Sequence, residues 1–137
     1  MKSNLRKNKF IPHLFSAPFI WAPLPFVIIL DIIIEIYHNV CFPIYGLKKV
    51  KRKQYVKVLD RGKLQYLSFN QKLGCMYCGY FNGVFPYFKE ICNRTEEYWC
   101  GIMHEGKPMP GQEHQLQHNF AKYNDANDMH QKYPISD

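Results

Sequence analysis

The chain falls into three stretches of different texture. Residues 10–47, FIPHLFSAPFIWAPLPFVIILDIIIEIYHNVCFPIYGL, form a nearly unbroken apolar block. Residues 48–104 mix short apolar runs with charges, and residues 105–137 are almost wholly polar. The block exceeds the ~20 residues a helix needs to cross a bilayer. Pro18, Pro23 and Pro25 interrupt it. Proline inside a helix removes a hydrogen bond and crowds the preceding turn. The pattern therefore predicts two helical pieces, 10–22 and 26–44, joined at Ala22–Pro25.

The second piece carries Asp31, Glu35, His38 and Asn39 at i, i+4, i+7 and i+8, which is one helical stripe. Everything around the stripe is large and apolar. Carboxylates facing lipid are costly, so Asp31, Glu35 and His38 are expected to face protein, water or headgroups. An interfacial polar face or a subunit contact suits them better than a proton relay.

Further on, the alternating runs of YVKVLDRGKLQYL (55–67) around Asp60-Arg61-Gly62-Lys63 predict a short β-hairpin. Residues 66–73 can begin a helix. Apolar positions 84, 85, 88, 91, 92, 98 and 99 predict a helix over 84–99 with Pro86 in its first turn. Asn82-Gly83 signals a turn before it. Beyond Glu105 few large apolar residues remain, which predicts a loose extended tail with His114 and His118 at its surface.

Charge sharpens this picture. The 137-residue chain carries a formal net charge of +7. Lys2, Arg6, Lys7 and Lys9 precede the apolar block, and Lys48, Lys49, Lys51, Arg52, Lys53 and Lys57 follow it. Basic runs against an apolar block suit the anionic face of a membrane, and no nucleic-acid motif accompanies them. Basic short flanks stay in the cytoplasm, so both ends are expected on one side. The first piece, ~20 Å long at 1.5 Å per residue, also falls short of a ~30 Å hydrocarbon core. A monotopic helical hairpin is thus expected ahead of a single span over 18–40 or a buried soluble helix.

Five cysteines is an odd count, and the apolar run is long, holds acids and lacks a small-residue cleavage site, so a signal peptide is not expected. They are expected to be reduced and cytosolic. Four residues have metal-ligand spacing: Cys75-x2-Cys78, then 21 residues, then Cys100-x3-His104. Three thiolates and one imidazole complete a tetrahedral zinc shell, and with no open position the site is structural. A straight helix over the intervening residues would be ~30 Å long and would part the two pairs. The spacing therefore demands a shorter helix, with Gly79–Gly83 running back along it. Iron at the same ligands, or a thiol–disulfide pair at Cys75 and Cys78, are the chemical alternatives. Cys92 lies on the apolar face of the 84–99 helix and is assigned to packing.

The stretch CMYCGYFNGVFPYFKEICNRTEEYWCGIMH, with CFPIYG and the basic LKKVKRKQY before it, resembles an uncharacterised bacterial family of small membrane-attached proteins. The likeness covers residues 20–104. Cys75, Cys78, Cys100 and His104 match its motif one by one, while Gly101 and Met103 replace its usual Pro and Lys. The resemblance implies attachment to the cytoplasmic face of a bacterial inner membrane and brings no established activity.

The sequence thus predicts a mainly α protein. A membrane-associated helical hairpin (1–47) precedes a small helical, zinc-stapled domain (48–104) and a polar extended tail (105–137). The expected role is a non-enzymatic interaction or assembly protein, with anionic lipids and other membrane-protein subunits as partners. The alternatives are a membrane-bound redox or electron-transfer protein using Cys75, Cys78, Cys100 and His104, and an interfacial enzyme using Asp31, Glu35 and His38.

Overall fold

The structure, a computed structural model, describes residues 10–58, 60–108 and 110–134. The basic residues Lys2, Arg6, Lys7 and Lys9 lie outside them. Helix α1 spans Phe10–Trp21, α2 Pro23–Ile44, α3 Arg52–Tyr55, α4 Phe69–Trp99, α5 His114–Gln117 and α6 Ala126–Lys132, with a 3-10 turn at Arg61–Lys63. The residues up to Tyr37 and those from His38 onward form two compact units.

The first unit departs from the expected hairpin. Only Ala22 separates α1 from α2, and its N–H still donates to the Pro18 carbonyl at 2.9 Å. The last bond of α1 thus reaches the single residue from which α2 starts. Pro23 and Pro25 fall in the first turn of α2, where a missing N–H costs little. Reversing two helices takes a loop of about 2–5 residues, which one alanine does not supply. The outcome is a nearly continuous helical run, Leu14–Ile44, of 31 residues. It is long and apolar enough to cross a membrane. Only 11% of its apolar window is buried, so the apolar side chains point outward rather than into a core. Phe15, Phe19, Phe26, Ile29, Ile33 and Ile36 are all exposed, whereas Val27 and Asp31 are buried.

The second unit begins in the last turns of α2. Gly46, at φ 69°, ends that helix in the left-handed conformation open to glycine, and the Leu47 N–H closes back on the Phe42 carbonyl at 2.9 Å. The chain then packs on α4. Gly83, Val84, Tyr87, Phe88 and Ile91 lie on one stripe of α4 and are buried. Phe42, Val50, Phe120 and Ala121 complete the core. Burying each large side chain contributes about 1.5–3 kcal/mol.

One contact explains a glycine that the sequence presents as a turn. A Cβ at Gly83 would sit 2.6 Å from the Tyr55 carbonyl oxygen and 2.8 Å from the Val56 Cα. Gly83 is thus the place where the α3 backbone lies against α4. Asn82, its neighbour, donates from Nδ2 to the Cys78 carbonyl one turn back, at 2.9 Å. The expected turn at 82–83 is therefore interior helix, and α4 runs unbroken from Phe69 to Trp99. Its first turn is fixed by Gln71 Oε1, which accepts from the Ser68 N–H at 3.0 Å.

Two further expectations change. Over 55–67 the structure has the end of α3, an extended stretch and the 3-10 turn, and no strand forms among the described residues. The polar tail is not loose. His114, Gln115, Phe120 and Ala121 are buried. The Ala121 N–H donates to Gly101 at 2.6 Å, and the Met103 N–H donates to Ala121 at 2.8 Å, around a parallel bridge between Ile102 and Ala121. Asp128 fastens α6 beneath this bridge: its Oδ2 accepts from the Lys122 N–H at 2.7 Å and from Lys132 Nζ at 3.0 Å.

Candidate functional site

The continuous α4 decides where the expected metal ligands go. Cys75 and Cys78, three positions apart, share one face of α4 in its N-terminal half, whereas Cys100 follows its last residue. At 1.5 Å per residue, the helical rise from Cys75 to the end of α4 is ~36 Å. Zinc–ligand bonds of about 2.0–2.3 Å cannot bridge that span. The chain does not double back at Gly79–Gly83, so the structure does not bring Cys75, Cys78, Cys100 and His104 to one ion. Among the described residues, no group of three or more His, Cys, Asp or Glu side chains has metal-binding geometry. His104 is exposed and instead places Nε2 4.0 Å from Glu96 Oε1. All five cysteines are free thiols. Cys92, expected to pack, is instead exposed on α4; partial burial of its sulfur, and secondly the Glu96 carboxylate, push its thiol above the ordinary value.

The polar stripe of α2 fares differently. His38 is 3% exposed and takes the Val50 N–H on Nε2 at 2.9 Å, while its Nδ1 lies 3.2 Å from Tyr87 Oη. With Nε2 accepting, the neutral ring carries its proton on Nδ1 and donates it to Tyr87. His38 therefore ties the end of α2 to the following loop and to α4. Asp31 is buried as well, and Glu35 is intermediate.

The chemistry that the sequence did not point to gathers where α2 ends. A cavity of about 420 Å³ opens between the loop after α2, the C-terminal half of α4, and α5. Leu47 and Lys48 line it from the loop, Glu90, Arg94 and Glu97 from α4, and His114 and His118 from α5 and its C-cap. Residues 90, 94 and 97 line one side because they recur at i, i+4 and i+7. Arg94 is held from two directions. Its Nε and Nη2 donate to Glu90 Oε1 at 2.8 Å, and Nη1 donates to the Lys48 carbonyl at 2.7 Å.

Two carboxylate–imidazole pairs flank the cavity. Glu96 accepts from His114 Nε2 at 2.8 Å and from Gln115 Nε2 at 2.9 Å, and Glu97 Oε1 lies 2.9 Å from His118 Nδ1. His114 is 8% exposed, and its other nitrogen, Nδ1, is buried without a hydrogen-bond partner. The carboxylate can only accept, so His114 donates from Nε2 to Glu96. Nothing in a polar, Gln- and His-rich tail announces that His114 becomes buried; HQLQH alone looks solvent-facing.

Beside this cavity the aromatic side chains cluster. Tyr45 stacks on Tyr98 with ring centroids 4.7 Å apart and meets Trp99 edge-on at 5.6 Å. Tyr98 and Trp99 remain exposed.

No protein-family model, curated protein or solved structure matches the chain.

Proposed function

We propose that this chain is a non-enzymatic, membrane-attached interaction or assembly protein that presents its second unit on the cytoplasmic side. The outward-facing apolar run Leu14–Ile44 carries the reading: leaving so many isoleucines and phenylalanines in water would be unstable, and a bilayer removes that cost. At 1.5 Å per residue the run is about 46 Å long, against a ~30 Å hydrocarbon core. Because the run does not reverse, a single crossing fits better than an in-plane hairpin. The six basic residues from Lys48 to Lys57 outnumber the four before the block, so the second unit stays on the cytoplasmic side. Tyr45, Tyr98 and Trp99 lie where α2 ends and suit the headgroup layer, where amphipathic rings concentrate.

Alkaline carbonate washing of membranes tests the reading. The intact chain should stay in the membrane pellet, and a variant carrying Ile29→Lys and Ile33→Lys should be released. Release of the intact chain would overturn it.

A further inference from the structure

The cavity beside the end of α2 has donors and acceptors arranged for a ligand of mixed charge. Lys48 is exposed at its edge. Arg94 uses one N–H on each of its three nitrogens for Glu90 and Lys48, which leaves one N–H on each terminal nitrogen free of those bonds. Those donors suit a phosphate. Glu90 and Glu97, on the same face of α4 as Arg94, add carboxylate oxygens to the lining. Those acceptors suit an ammonium group. The two lysine and arginine charges balance the two glutamates, so neither a simple anion nor a simple cation satisfies the whole lining.

From this we infer that the cavity binds a phosphoethanolamine headgroup, with the ammonium toward Glu97 and the phosphate toward Lys48 and Arg94. This rests on the membrane reading above. It accounts for three further features. Lys48 follows Ile44, the last residue of the apolar run, by four positions, which keeps the cavity near headgroup depth. Leu47, the apolar member of the lining, offers a path for the glycerol end. A volume of about 420 Å³ admits a headgroup with its glycerol but not an acyl chain as well. Holding a zwitterionic headgroup would fix the depth of the second unit and select the lipid around it.

Native mass spectrometry of the full-length chain in detergent tests the assignment. The probes are lipids with phosphoethanolamine or phosphoglycerol headgroups and identical acyl chains, with soluble glycerophosphoethanolamine as a third. The phosphoethanolamine lipid should be retained about tenfold better than the phosphoglycerol lipid, and Lys48→Ala or Glu97→Gln should each remove most of that preference. Lys57→Ala, away from the cavity lining, should keep it. Equal retention of both lipids, or a preference untouched by both cavity variants, would overturn the headgroup site. Equal occupancy by glycerophosphoethanolamine and the lipid would move the ligand from membrane to solution and overturn the lipid assignment. Each variant is also scored for carbonate-resistant membrane retention. In the unmodified chain, no headgroup preference with retention intact counts against this site alone, whereas loss of retention counts against membrane attachment itself.

Discussion

The backbone N–H of Val50 donates to Nε2 of His38 at 2.9 Å, across twelve residues of chain and inside the core. The bond joins the last turns of an apolar helix to the loop that leaves it. Tyr87 on α4 holds the opposite side of the ring. A neutral imidazole offers a donor and an acceptor on two nitrogens of one rigid ring.

His38→Leu should therefore cost more than its volume suggests. It strands the Val50 N–H and the Tyr87 hydroxyl, and a buried group left unpaired costs about 1–3 kcal/mol. Hydrogen exchange in detergent should show the Val50 amide losing protection first. Unchanged protection would mean that the loop is held by something other than His38.

Two glycines of α4 should respond oppositely to alanine. At Gly83 the new Cβ meets the Tyr55 backbone, which cannot swing aside. Overpacking of this kind costs roughly 1–3 kcal/mol. At Gly74 nothing lies within 4 Å, so only helix propensity acts, a gain of roughly 0.5–1 kcal/mol. Thermal unfolding of Gly83→Ala and Gly74→Ala should shift in opposite directions.

The cysteines should behave independently. With Cys75 and Cys100 toward opposite ends of α4, Cys75→Ser and Cys100→Ser should each leave stability within about 0.5 kcal/mol. Chelator should not change the unfolding midpoint. One zinc per chain, with unfolding on chelation, would require α4 to break between its glycines.

Acid should loosen the tail before the rest. The Lys122 N–H and the Lys132 ammonium hold the Asp128 carboxyl below its ordinary value of 3.8. A carboxyl depressed in the folded state stabilises it above that ordinary value, and the contribution fades as pH falls through the folded value. Amide exchange in 122–133 should therefore rise below about pH 4. Asp128→Asn should show the rise already at neutral pH and lose the acid step.

Much of this architecture is legible in the sequence, but not all. The outward apolar run is written directly in FVIILDIIIEIY, and the stripe of 84, 88 and 91 announces the buried face of α4. Pro23 and Pro25 mislead because in the first turn of α2 they cost no hydrogen bond, while Pro18 is accommodated inside α1. Gly79 and Gly83 look like breaks, yet Gly83 is a contact that only the α3 backbone reveals. The Cys-x2-Cys spacing cannot distinguish a metal-binding turn from two residues on one helical face. The cavity was hidden because Arg94, His114 and Lys48 come from distant parts of the chain, and only tertiary packing brings them to one place.

The central claim is that Leu14–Ile44 lies in lipid while the chain from Lys48 lies in water. Nitroxide labels at positions 29, 33, 36 and 48 of the full chain in vesicles, scored for collision with oxygen and with a water-soluble nickel complex, measure this directly. The account predicts oxygen-dominated collisions at 29, 33 and 36 and nickel-dominated collisions at 48. Nickel-dominated collisions at all four positions would contradict it.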